Sequence, residues 1–76
     1  MWKKVDNYVL NWHSQPRRGS IHLRFEDGSD GVIDHLTSAD LFALGTMLRE
    51  EPGVWYHTLR GDIAAHSKPE HDEDID

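Results

Sequence analysis

The stretch that decides the fold is SIHLRFEDGS, residues 20–29. Its apolar residues Ile21, Leu23 and Phe25 alternate with polar ones, and this period of two is typical of a strand with one buried face. The Asp-Gly-Ser sequence that follows favours a tight turn, because aspartate bonds its own backbone and glycine adopts a positive φ without strain. We therefore expect a strand over residues 20–26, a turn, and a short third strand over 32–35.

The preceding segment has the same alternation and is predicted to form the first strand, residues 5–13. Either Val9 or its neighbours Tyr8, Leu10 and Trp12 form the buried face of that strand. Pro16 fixes φ and Gly19 tolerates a positive φ, so residues 14–19 are expected to be a hairpin loop.

A helical pattern begins after residue 36. Thr37 followed by Asp40 fits the acidic form of a capping box, and leucines then recur at the spacing of one helix face. Pro52 disfavours helix at the residue before it, which predicts a helix over residues 38–50.

Residues 54–59 are rich in strand formers, and 63–66 are a candidate fifth strand. The fold class is therefore α+β: a small antiparallel sheet in the order β-β-β-α-β, with one helix packed on one face. Besides the first strand, the predicted core consists of Ile21, Leu23, Phe25, Ile33, Leu41, Leu44, Leu48 and Tyr56.

Composition restricts the class of protein. The chain has 76 residues and no cysteine, which excludes disulfides, thiolate zinc sites and thiol nucleophiles. It has no apolar run of about 18 residues, so no membrane span is expected. We expect one cytoplasmic domain over residues 1–66 and an acidic, disordered tail over 67–76, since the tail has too few hydrophobes to offset its ordering entropy.

The formal net charge of −6 is unevenly distributed along the chain. Residues 1–24 carry a net charge of +4, residues 25–66 one of −6, and residues 67–76 one of −4. This polarity points to partners, either a second copy meeting the first head to tail or an acidic macromolecule at the basic loop. The candidate contacts of that loop are Arg17, Arg18 and Arg24.

The helix is apolar over a wider arc than one sheet requires. Phe42 and Met47 flank the leucine face and widen it to about 220°, against the roughly 100° that faces a single core. A second copy of the chain would cover the excess, so the sequence predicts a homo-oligomer, a dimer or higher. The alternative is that Phe42 packs under the strand of Trp55 and Tyr56 or under the 14–19 loop of its own chain. Phe42, Met47 and Gly45 are the candidate interface.

No pattern of catalytic or metal-binding residues emerges. Among the six histidines, none has a second histidine at ligand spacing; His22 and His35 could pair across a hairpin, but such histidines are more often solvated side chains on a sheet face. The aspartates around residue 28 fail the EF-hand spacing, and no serine lies in a Gly-x-Ser-x-Gly elbow. We expect a non-enzymatic protein without catalytic residues, metal or cofactor.

Binding of single-stranded nucleic acid is the alternative. Aromatic faces that stack on bases, interleaved with cations that meet phosphates, are its usual ingredients. The residues concerned are Trp2, Tyr8 and Trp12 with Lys3, Lys4, Arg17, Arg18 and Arg24. The acidic remainder of the chain opposes this reading, because phosphate affinity rises with the number of cations at the backbone.

Three stretches, Gly19–Ser29, Leu36–Leu44 and Pro52–Tyr56, together resemble a loose group of short bacterial proteins carried in mobile gene cassettes such as those of integrons. The likeness covers roughly residues 5–60 and consists of a Gly-x-Ile-x-Leu-x-Phe-x-Asp-Gly hairpin followed by a leucine-rich helix. The resemblance implies a bacterial, cytoplasmic, self-associating α+β protein, and it implies no catalytic residues. The sequence thus favours a small interaction module that forms a homo-oligomer and binds another macromolecule, with a protein as its partner and no contact with membranes.

Overall fold

A computed structural model describes residues 1–69 as one antiparallel sheet of five strands with one helix on one face. The order of the strands across the sheet is β3-β2-β1-β4-β5. The elements are β1 (Trp2–His13), β2 (Arg18–Phe25), β3 (Asp30–Leu36), α1 (Ser38–Glu50), β4 (Val54–His57) and β5 (Ile63–Ala65). The predicted α+β class and element order are confirmed, and the candidate fifth strand is present.

The strand β1 begins three residues before the predicted start at residue 5. Lys3 and Lys4 hide the strand pattern in the sequence, yet Trp2, Lys3 and Lys4 pair in register with β4. Lys3 lies on the inner face, where its ammonium group is 5.8 Å from the centre of the Phe25 ring. Long lysine side chains cover apolar surface while the charge stays in water, so a strand can begin with them.

The two edges of β1 are paired over different lengths. One edge pairs with β2 from Val5 to His13, and the other pairs with β4 only from Trp2 to Lys4. The register with β2 shifts between Val5 and Asn7, which is a β-bulge around Asp6. Bulges of this kind bend a strand and end pairing.

The core lies between the sheet and α1. Its buried residues are Ile21, Leu23, Phe25, Leu48 and Val54. The predicted residues Tyr8, Ile33, Leu41, Leu44 and Tyr56 are half-buried against this cluster. Val54 belongs to the core although the prediction did not include it.

The predicted burial of the rest of β1 is corrected by the structure. Tyr8 packs on the core, but Leu10 and Trp12 remain 44% and 42% exposed although they lie on the same face. Val9 pairs with His22 on the opposite, outer face of the sheet and is exposed there. Alternation selects the face correctly, whereas burial depends on what covers that face at each position.

The helix α1 has the predicted bounds, residues 38–50. At its first turn the Asp40 N–H donates to Thr37 Oγ1 at 3.1 Å, which confirms the hydroxyl half of the predicted cap. Glycines allow close packing beneath the helix. A Cβ atom on Gly19 would lie 2.8 Å from Leu41 Cδ2, and one on Gly45 would lie 2.9 Å from Leu10 Cδ1.

Within residues 1–69 no helix has the length and hydropathy needed to cross a bilayer. The predicted tail, residues 67–76, falls mostly on residues 70–76, which lie outside the described part of the chain.

Candidate interaction surface

An apolar groove of about 390 Å³ lies between α1 and the second half of β1. We call it the apolar groove and define it by its apolar lining, which consists of Leu10, Trp12, Leu41, Phe42 and Gly45; Ser38, Thr46 and Arg49 also line it. Phe42 is 76% exposed at its rim, the highest exposure among the large apolar side chains described. The groove therefore joins three large exposed apolar side chains, those of Leu10, Trp12 and Phe42, in one place.

The groove exists because β4 is short. Beside residues 2–4 of β1 the sheet continues into β4, but beyond residue 4 no described strand flanks that edge. The helix lies over β2 and the adjoining part of β1, with Gly45 close to Leu10, so it covers Leu10 and Trp12 from one side only. Exposed apolar surface of this kind, concentrated in one patch, marks interaction sites.

The structure brings together two of the three predicted interface residues. Phe42 and Gly45 both line the apolar groove. Met47 is half-buried against the core cluster instead. Phe42 and Met47 are five residues apart, or about 140° around the helix, so the two cannot share one flat interface. Leu10 and Trp12 take the place of Met47 at this surface.

The three predicted basic-loop residues do not form one patch. Arg17 is exposed in the turn after β1, which contains a cis peptide bond between Gln15 and Pro16. Arg18 begins β2 and is half-buried, with Nη1 3.2 Å from His35 Nδ1. Arg24 lies six residues further along β2, on the outer face, where its Nε donates to Asp30 Oδ1 at 2.8 Å.

The cations at the start of the chain also have carboxylate partners. Lys3 Nζ lies 2.9 Å from Asp27 Oδ2, and Lys4 Nζ lies 3.8 Å from Glu26 Oε2 and 5.4 Å from the centre of the Trp55 ring. The antiparallel sheet thus places the acidic turn after β2 beside the basic start of β1. Within residues 1–69, much of the charge polarity of the sequence becomes local ion pairing in the fold.

The turn between β2 and β3 is tightly hydrogen-bonded. Asp27 accepts from the hydroxyl and the backbone N–H of Ser29, and it lies beside Lys3. The Ser29 hydroxyl, followed by Lys3 and the Ser29 backbone, lowers the pKa of Asp27 far below its usual range. Asp34 accepts from the His35 N–H at 2.8 Å, which lowers the pKa of Asp34 as well.

The aromatic residues proposed for nucleic-acid binding are separated in the fold. Trp2 is buried, with its ring at 5.2 Å from that of His57 in an edge-to-face arrangement. Tyr8 is half-buried on the core, and Trp12 is exposed in the apolar groove. Of these three aromatic residues, Trp12 is therefore the one that is exposed beside the hairpin of β1 and β2.

His57 is the one fully buried histidine among the described residues. Its Nδ1 accepts from the backbone N–H groups of Leu59 and Arg60 at 3.3 and 3.1 Å, and its Nε2 lies 3.1 Å from the Met1 amino group. These contacts hold the turn after β4 against the start of β1. The role of His57 is therefore structural.

His22 and His35, the two histidines that could have faced each other across a hairpin, are separated in the fold. His22 pairs in register with Val32, and its Nε2 lies 3.8 Å from Asp30, whereas His35 lies beside Arg18. No three histidine or carboxylate side chains within residues 1–69 are grouped as metal ligands would be.

A shallow polar hollow of about 340 Å³ lies on the outer face above the bulge. His22, Arg24 and Asp30 line it, and Asp30 contacts both of the other two. The one arginine of the hollow, Arg24, is already paired with Asp30. The hollow offers weaker grounds for a site than the apolar groove.

In comparisons with known proteins, no family model, no curated protein and no solved structure matched this chain.

Proposed function

We propose that the protein is a non-enzymatic interaction module that self-associates and binds another macromolecule through the apolar groove, in the cytoplasm. The observation that carries this proposal is the 76% exposure of Phe42 beside Leu10 and Trp12. These three large apolar side chains are exposed in one patch, and their burial against a partner is favourable.

The test compares two substitutions of equally exposed residues. Phe42→Asp places a charge in the apolar groove, and Leu59→Asp places one at a residue outside the groove that is 72% exposed. We expect the mass of the unmodified protein in sedimentation equilibrium to rise with concentration. Phe42→Asp should weaken association at least about tenfold, since a buried unpaired charge costs more than about 1.4 kcal/mol.

Leu59→Asp is the matched control and should associate like the unmodified protein. A chain that stays monomeric at every concentration contradicts self-association. An equal loss with Leu59→Asp contradicts the assignment to the groove. Far-UV circular dichroism of both variants establishes that they are folded.

Binding of single-stranded nucleic acid is the second candidate, and the observation that favours it is the exposed Trp12 near Arg17 and Arg18. The two arginines have no carboxylate within ion-pair distance in residues 1–69, unlike Lys3, Lys4 and Arg24. If this candidate is correct, the unmodified protein retards a labelled single strand at low salt, and the double variant R17E/R18E does not. Absence of any retardation by the unmodified protein excludes it.

A further inference from the structure

The second half of β1 has an open backbone edge. From Asn7 to His13 its residues pair with β2 on one side, and no strand within residues 1–69 pairs with the other side. The apolar groove runs along this open side, where Leu10 and Trp12 project towards the level of α1. An edge of this kind is a template for an additional strand.

The hydrogen bonds around the bulge show which backbone groups point to the open edge. Before the bulge, the Met1 C=O accepts a hydrogen bond from the Thr58 N–H, on the side of β4. The Lys4 C=O accepts a hydrogen bond from the Glu26 N–H, on the side of β2. After the bulge, the Tyr8 N–H turns away from β2 and donates to Asn7 Oδ1 at 2.9 Å. In an antiparallel strand every second residue points its N–H and C=O to the same edge. The backbone groups of Leu10 and Trp12 therefore point to the open edge.

The side chains along this edge carry no charge. Residues 7–12, NYVLNW, form an uncharged run in a chain that is 29% charged. The outer strand β3 carries Asp30 and Asp34, and β5 has only three residues. Charges and short length protect edges from pairing. Among the edges within residues 1–69, that of β1 has the least protection.

We propose that the groove and the open edge are occupied by a second copy of this chain, whose β1 pairs antiparallel with β1 across a two-fold axis near Leu10. The inference rests on the proposed function and names its partner and geometry. A two-fold axis makes the interface self-complementary, so each open edge satisfies the other. The two sheets then become one, and both helices lie on the same face of it.

Two features favour a second copy over an unrelated strand. The uncharged run 7–12 meets its own equivalent without placing like charges opposite each other. The two-fold axis also brings the apolar grooves of both copies side by side, so that each copy's Phe42 and Trp12 cover apolar surface of the other. An unrelated peptide strand would pair with the open backbone edge, but it would not bring a second Phe42 and Trp12 to cover the apolar groove.

Amide exchange measured residue by residue tests this geometry directly. In the monomer the N–H groups of Leu10 and Trp12 face water, while those of Val9 and Asn11 face β2. We expect the exchange of Leu10 and Trp12 to slow at least about tenfold between dilute and associated samples. Val9 and Asn11 serve as internal controls and should change much less.

The outcomes separate the inference from the proposed function. If the protein associates and Phe42→Asp prevents it, but Leu10 and Trp12 exchange as in the monomer, the strand pairing is wrong and the groove remains an interface. If the protein is monomeric at every concentration, both fail. If the amides are protected only when another protein from the host is added, the partner is not a second copy.

A pair of substitutions at one position gives a second test. Leu10→Pro removes an N–H that points to the open edge, a place where sheets accept proline, and Leu10→Ala removes only the side chain. We expect Leu10→Pro to abolish association and Leu10→Ala to weaken it less. Equal association of two folded variants overturns the proposal, and if Leu10→Pro does not fold, the exchange measurement decides.

Discussion

The two halves of β1 carry similar side chains in different surroundings. Trp2 in the first half is 9% exposed, because β4 runs alongside and His57 packs against its ring. Trp12 in the second half is 42% exposed, since β4 pairs no further than Lys4. The same residue type in the same strand is thus buried in one half and exposed in the other, and because of the bulge at Asp6 the two rings lie on opposite faces of the sheet.

This difference shows what strand periodicity can predict about a side chain and what it cannot. Alternation determines which face of a sheet a side chain lies on, because the period of a strand is two. Whether that face is covered depends on neighbouring strands and on the reach of the helix. In this protein the bulge at Asp6 and the four-residue length of β4 decide it.

The largest expected effect comes from removing each tryptophan in turn. Trp2→Ala should lower the free energy of unfolding by about 3–5 kcal/mol, because it leaves a cavity beside His57. Trp12→Ala should lower it by about 1 kcal/mol or less, as is usual at exposed positions. Urea denaturation followed by far-UV circular dichroism measures both. Equal losses for the two variants would show that the halves of β1 are packed alike.

A smaller difference in stability is expected between alanine substitutions of two glycines, Gly19 and Gly45, that lie at contacts of α1. Gly19→Ala should cost about 1–3 kcal/mol, because the new methyl group meets Cβ, Cγ and Cδ2 of Leu41, whose Cβ is held by the helix. Gly45→Ala should change stability by less than about 1 kcal/mol. Its methyl group meets only the end of the half-exposed Leu10 side chain, and alanine favours the helix.

Thermal unfolding of the two alanine variants measures this contrast under the conditions that keep the protein monomeric. A Gly45→Ala variant as unstable as Gly19→Ala would show that Leu10 is fixed in place, and the groove would then be part of the rigid core. Because the methyl group narrows the groove, Gly45→Ala should also weaken self-association.

The smallest expected effect is on the pH dependence of stability, and it concerns Asp27 in the turn after β2. The lowered pKa of Asp27 means that its ionised form is favoured in the folded state, so its contribution to stability is present above the ordinary aspartate value of 3.8. That contribution is lost as the pH falls through the lowered pKa. Asp27→Asn should therefore reduce the fall in melting temperature between neutral pH and about pH 2.

Carboxyl NMR titration resolves the causes of this shift. Ser29→Ala should raise the pKa of Asp27 more than Lys3→Met does, because the Ser29 hydroxyl is the larger cause. The reverse order would show that the contact between Lys3 and Asp27 dominates, and that the start of β1 is held by charge more than the hydrogen bonds of the turn indicate.

The sequence predicted most of the fold from particular residues. Ile21, Leu23 and Phe25 are buried as their alternation indicates, and α1 begins after the Thr37 cap and ends before Pro52. The start of β1 was missed because Lys3 and Lys4 break the apolar pattern, although their side chains lie over aromatic rings.

The candidate surface was predicted in part. The excess apolar arc of α1 pointed to Phe42 and Gly45, which line the groove, but Leu10 and Trp12 were assigned to the core. One signal could have found them. The predicted fourth strand is shorter than the first, so if the two pair, part of β1 lacks a neighbouring strand at that edge. Met47 packs against the core cluster, which the sequence did not indicate, because a helical wheel shows which arc is apolar but not how far the sheet extends beneath it.

By itself the sequence determined the elements, their faces and the helix cap, because these follow from local periodicity and from backbone chemistry within a few residues. Only the tertiary structure decided where the charges and the open edge lie. Antiparallel pairing brought Asp27 and Glu26 beside Lys3 and Lys4, and the bulge with a short β4 left residues 7–13 of β1 with one partner strand. Both results depend on contacts between residues far apart in the chain, which no local pattern records.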